Sequence, residues 1–184
     1  SRIAALGLDV VRRPTGGRAV WHGREVTYAV ACPGGLGSLR ESYLEIHRML
    51  ADALRSLGVE ADLAPRTTAA AVDTGACFSR PAGGELMVGG RKVVGSAQLR
   101  QGDALLQHGS ILLGDDQMTV GTVTRGTAAA DLATPLQAIV GASLEEGDVI
   151  AAVSRAAARR WGGTWQRYES RDEGEAFRHT GTRS

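Results

Sequence analysis

The chain has 184 residues, 43% of them hydrophobic and 22% charged, with a formal net charge of +1. That length and composition suit one well-buried globular domain. A net charge near zero and an aromatic content of 4% argue against a nucleic-acid binder, which needs a basic surface and stacking platforms. No run approaches the ~20 apolar residues of a membrane span, and "SRIAALGLDVV" lacks the basic start and long apolar stretch of a signal peptide. Two cysteines, Cys32 and Cys77, are too few for a disulfide framework and read as free thiols in a cytoplasmic protein. The histidines at 22, 47, 108 and 179 make no local metal-binding pattern, so no metal site is expected.

In chain order, "LDVVRR" is expected to be a strand running into the loop "PTGGR". "REVTYAVA" alternates and places Val26, Tyr28 and Val30 on one face of a half-buried strand. After the loop "CPGGLG", the segment "SLRESYLEIHRMLADALRSLG" predicts an amphipathic helix. Ser38 and Glu41 form its capping box, Leu50, Leu54 and Leu57 continue one apolar stripe, and Gly58 stops it. "VEADLA" is a short strand, and residues 64–84 are a loop that carries Cys77. "ELMV" and "RKVVGSAQLR" flank Gly89-Gly90 as a β-hairpin. "ALLQHGSILL" is another strand, its apolar run broken at Gln107, His108, Gly109 and Ser110. "SLEEGDVIAAVSRAAARRWG" predicts a second capped helix, from a Ser143/Glu146 box to Gly162, and the polar tail "SRDEGEAFRHTGTRS" reads as frayed. Strands with a few packed helices give an α+β fold: mixed or antiparallel sheets flanked by helices, in a single domain over residues 1–184.

Lys92 is the only lysine, beside twenty arginines. Where solvated charge alone is needed, this chain uses arginine, as at Arg91. A lone ammonium, compact and tunable in pKa, therefore points to a defined pocket, with chance survival as the alternative. Cys77 has two readings: a small hydrophobe beside Phe78, or a reactive thiol if a cation or helix N-terminus stabilises its thiolate. Cys32, at a strand end, takes the first reading. Gly16-Gly17, between Arg13 and Arg18, and the run Gly95, Ser96, Ala97 mark either plain turns and bulges or places where a ligand meets the backbone. No phosphate-binding P-loop is present. His108 reads as a hydrogen-bonded structural histidine.

Together, "RRPTGGRAVWHGREVTY" and "VGGRKVVGSAQLRQGDALLQHGSILL" resemble the loop and strand motifs of the biotin/lipoate protein ligase superfamily, over roughly residues 8 to 113. "ACF" is similar to the Cys-Phe pair of its cysteine-dependent octanoyltransferases, which place a lysine fifteen residues on, the same separation as from Cys77 to Lys92. The resemblance implies the superfamily's catalytic-domain fold, here lacking its usual N-terminal segment. It implies Cys77 as acyl-thioester nucleophile and Lys92 as the group that lowers its pKa. It also implies Arg13, Thr15, Gly16, Gly17, Arg18, His22, Tyr28, Gly95, Ser96, Ala97, His108 and Gly109 as substrate-binding residues. Arg13, Arg18 and Arg91 would form a local basic patch for acidic carrier proteins.

The implied reaction moves octanoyl from acyl-carrier protein to Cys77, and then to a lysine of a lipoyl-domain protein, either a glycine-cleavage H protein or a dehydrogenase E2 subunit. Both steps start from a thioester, so no cofactor is expected. The alternative enzyme is a lipoate ligase working through lipoyl-adenylate, with ATP and Mg2+, in which Cys77 is a bystander. A third alternative is a non-catalytic binding module on the same fold. Biotin ligase fits less well, because no Arg-rich adenylate loop is recognisable.

Overall fold

The computed structural model describes residues 2–13, 15, 19–33, 36–65, 83–114, 123, 134–141 and 144–166. Two three-stranded antiparallel sheets organise them. The larger has the order β1 (Glu25–Cys32), β6 (Ala104–Leu112), β5 (Val94–Gln101); the smaller has β2 (Ala61–Leu63), β3 (Leu86–Val88), β4 (Arg91–Lys92). Helix α1 is Arg2–Ala5, α2 Leu39–Arg55, α3 Leu136–Val140 and α4 Glu146–Trp161. No helix among the described residues is long and apolar enough to cross a membrane. The α+β class expected from the sequence is the class observed.

Helix α2 starts where its capping box predicts. The Glu41 amide donates to Ser38 Oγ at 3.2 Å, and the Ser38 amide donates to Glu41 Oε2 at 2.8 Å. These bonds satisfy amides that a helix start otherwise leaves open. The helix ends at Arg55, before Leu57, and Gly58 turns the chain away with a φ of +79°. Its apolar stripe, with Ile46, Leu50 and Leu54 at 0% exposure, packs against β2, β3, β5 and α4. Each such side chain contributes about 1.5–3 kcal/mol of burial. The same core takes in Val26 of β1, Leu86 of β3, Val94 of β5, Ile111 of β6 and Val149 of α4.

The hairpin at Gly89-Gly90 forms as predicted, with φ of +55° and +74°. Both values need glycine, and both suit the tight turn that the twist of paired strands requires. The second arm of the hairpin departs from its sequence reading. "RKVVGSAQLR" is not one strand, because it changes sheets at Val93. The Val93 amide donates to Leu86 O of the small sheet at 3.2 Å, and its carbonyl accepts from Leu112 N of the large sheet at 3.0 Å. Lys92 therefore belongs to one sheet and Ser96 to the other.

Two further expectations are corrected. "LDVVRR" is not a strand: residues 8–13 have no regular structure, and Val10 and Val11 are 70% and 89% exposed, so they have no sheet to alternate against. The strand expected of "ALLQHGSILL" is β6, and the polar groups of Gln107, His108 and Ser110 find partners on both faces of the sheet. Helix α4 starts at Glu146 with Glu145 as its N-cap and no side-chain cap bond, so Glu146 is not the reciprocal member of a box. Ser143 and the tail lie outside the described residues. Gly162 stops the helix as expected, with a φ of +63°.

Candidate functional site

The register of the large sheet sorts the motif residues by face. Tyr28, Gly109 and Ser96 oppose one another across the three strands, as do Ala29, His108 and Ala97 one residue along. Alternation therefore puts Tyr28, Gly109 and Ser96 on the inner face towards α2, and Ala29, His108 and Ala97 on the outer face. The inner row packs tightly. A Cβ on Gly109 would stand 2.2 Å from Gly95 O and 2.8 Å from the Tyr28 ring, so only glycine fits between its neighbours.

The inner face carries a hydrogen-bonded chain. Gln98 Nε2 donates to Gln107 Oε1 at 2.8 Å, and Gln107 Nε2 donates to Tyr28 Oη at 3.0 Å. Tyr28 Oη lies 2.6 Å from Ser96 Oγ, which lies 2.7 Å from His47 Nε2; His47 Nδ1 is 2.8 Å from Gly84 O. Burial pushes the Tyr28 hydroxyl up to about 12, against the smaller pull of its bonds to Gln107 and Ser96. Burial also brings His47 down to about 4, opposed by its bond to Gly84 O and helped by the charge of Lys92.

Lys92 is 2% exposed and forms an ion pair with Glu85, whose side chain is 9% exposed. The lone lysine is buried rather than solvated. Its neighbour is a carboxylate, which the sequence reading did not foresee. Breaking such a pair leaves a buried charge uncompensated, at about 3–5 kcal/mol, so Glu85 helps to hold the amine in place.

The outer face holds a second polar group. Thr15 Oγ1 is 2.6 Å from His108 Nε2, which sets Thr15 over this side of the sheet. Burial lowers the pKa of His108, with smaller contributions from the charges of Arg13 and His22. Glu25 Oε1 accepts from His22 Nδ1 at 2.5 Å and from Ser110 Oγ at 2.9 Å. Between these groups the sheet presents small side chains, with Ala29 and Ala31 exposed and Ala97 at 9%. His108 is the hydrogen-bonded residue the sequence suggests.

The residues expected to bind substrate thus divide. Arg13, Thr15, His22, Ala97 and His108 gather on the outer side, while Tyr28, Ser96 and Gly109 belong to the inner side with His47. Gly95, opposite Ser110, is buried in β5 and shares its register face with Ala97. Arg91 is exposed at the Gly89-Gly90 turn, where its guanidinium donates to Thr134 Oγ1 at 3.0 Å. Cys77, Gly16, Gly17 and Arg18 lie outside the described residues. Sequence reading missed His47, Glu85 and Gln107. The signal for His47 was its place three residues before Leu50 and seven before Leu54, on the apolar stripe of α2.

The sequence model of the lipoyl protein ligase A/B catalytic domain matches residues 1–157. An octanoyltransferase LipM from Kyrpidia tusciae is 48% identical over 132 residues, covering 67% of this chain and 48% of that protein. A second, from Carboxydothermus hydrogenoformans, is 46% identical over 117 residues, covering 61% and 43%. The chain spans about half the length of these curated relatives. A crystal structure of lipoate-protein ligase A bound with ATP superposes with a TM-score of 0.70 at 21% identity, over 86% of this chain and 61% of that one, and shares its fold.

Proposed function

The chain belongs to the lipoyl protein ligase A/B catalytic-domain family, and from that premise we propose that it is an octanoyltransferase of lipoate biosynthesis. The observation that carries the reading is the 46–48% identity to proteins named octanoyltransferase LipM. Cys77 followed fifteen residues later by the only lysine agrees with it.

In the first step the Cys77 thiolate attacks the thioester carbonyl of octanoyl-acyl-carrier protein. A carbon–sulfur bond to Cys77 forms, the bond to the carrier breaks, and the carrier thiolate leaves and takes up a proton. In the second step the neutral amine of a lysine on a lipoyl-domain protein attacks the acyl carbonyl. The carbon–nitrogen bond forms, the nitrogen loses its proton, and Cys77 is released. Each acyl bond is already activated as a thioester, so the reaction consumes no nucleotide. A thiol with a pKa near ~8.5 is mostly protonated at neutral pH, so the thiolate needs a cation. Lys92 supplies it from the Glu85 pair. The pair carries no net charge, so the ammonium is shared between carboxylate and thiolate. The acyl chain lies on the outer face along Ala29 and Ala97, with Thr15 and His108 at its edge.

The test is intact mass after incubation with octanoyl-carrier protein and no nucleotide. One octanoyl group should be added, and Cys77→Ser should abolish it. A strict requirement for ATP would transfer the reading to a lipoate ligase. Activity untouched by Cys77→Ser would remove the thioester altogether.

A further inference from the structure

Lys92 and Glu85 lie between Gly84 and Ser96 in sequence, and both of those residues bond to one imidazole on helix α2. His47 is 0% exposed. Its ring faces the Tyr43 ring, with centroids 4.0 Å apart, the Gly84 carbonyl, the Ser96 hydroxyl and the charge of Lys92.

The direction of every bond in the inner chain follows from one fact. A backbone carbonyl only accepts, so His47 Nδ1 carries the proton that points at Gly84 O. In the neutral ring Nε2 then accepts, and the Ser96 hydroxyl must donate to it. Having given its one hydrogen, Ser96 accepts from Tyr28. Tyr28 in turn accepts from Gln107, and Gln107 from Gln98. Donation runs one way from Gln98 in β5 to Gly84 at the entry of β3. A largely buried hydrogen-bonded chain of this kind fixes the position of its members, since breaking a buried link strands a polar group.

We propose that His47 is a positioning residue for Lys92: one neutral imidazole clamps both ends of the 84–96 segment to α2 and so sets where the ammonium stands. Its role in catalysis rests on the octanoyl-transfer reading, but the clamp itself does not. Gly84 lies seven residues after Cys77 in sequence.

Because Lys92 is the only lysine, an amine-reactive ester reports on its Nζ at a single position besides the chain terminus. His47→Leu removes both bonds of the clamp. Ser96→Ala removes one and keeps the test open if the first variant fails to fold. In folded His47→Leu, Lys92 should be modified at least tenfold faster than in the native chain, with Ser96→Ala in between. Octanoylation of Cys77 should slow at least tenfold at saturating carrier, with little change in KM. The pH profile of Cys77 alkylation should move to higher pH. A folded variant with Lys92 as protected as in the native chain overturns the proposal. So does faster labelling with unchanged Cys77 acylation. If the native chain forms no octanoyl adduct, the transferase reading fails, while the labelling rates still decide whether His47 fixes Lys92.

Discussion

His47 joins a physical cost to a measurable signature. Its pKa is lowered from 6.5 to about 4 because burial disfavours the charged ring. As the pH falls through 6.5 the unfolded chain takes up a proton at this residue, and the folded chain does not until about 4. The neutral ring's contribution is therefore fully present above pH 6.5 and is lost as the pH drops towards 4. The slope is about 1.4 kcal/mol per pH unit, on the order of 3 kcal/mol in all. Urea midpoints of the native chain should fall across that window, and His47→Leu should flatten this part of the curve. An equally steep fall in the variant assigns the effect to another group. Gly109→Ala tests the inner row: a new Cβ 2.2 Å from a backbone oxygen has no flexible neighbour to displace. The expected loss is about 1–3 kcal/mol or more, the size seen for overpacked sites, read from thermal or urea melts. At this scale the sequence was informative about Lys92, whose isolation among arginines announced a special site. It was silent about His47, because the groups that hold it are 37 and 49 residues away.

Among the elements, α2 carries the clearest local code and the most direct test. Ser38→Ala removes an N-cap acceptor and should cost about 1 kcal/mol, visible as a lowered melting temperature. Arg160 of α4 holds Glu45 of α2 at 2.6 and 3.0 Å and reaches Asp52 at 3.3 Å. Its guanidinium keeps the Glu45 carboxyl below the ordinary range. The side chains are a quarter to a half exposed, so Arg160→Met should cost no more than about 1 kcal/mol, and high salt should erase the difference. Elements with their own start and stop signals, such as α2 and the Gly89-Gly90 hairpin, were legible. The sheet change at Val93 was not, because "RKVVGSAQLR" has unbroken strand composition and only the partners of each strand reveal the join. Helix α3, five residues long, is too short to show a period. "LDVVRR" shows the converse error, since β-branched residues make a strand only where a neighbour offers hydrogen bonds.

For the whole molecule, two sheets meet at the segment that carries the charge. Lys92→Arg preserves the charge but places a larger planar group in a site 2% exposed and already filled by Glu85. Octanoylation of Cys77 should fall at least tenfold while net charge and oligomeric state stay unchanged; equal rates would show that any cation serves. The fold class was readable from residue order, and the motif residues that are described fall on the two faces of one sheet. Their division between those faces was not readable, because it depends on a strand register that composition does not encode. That division separates neighbours in the Gly95-Ser96-Ala97 run. Ser96 is answerable to the interior and tolerates little, whereas Ala97, one peptide unit along, borders whatever rests on the far side. If the octanoyltransferase proposal holds, Ala97→Val should shorten the preferred acyl chain, and because Ala97 is only 9% exposed it should lower the melting temperature slightly.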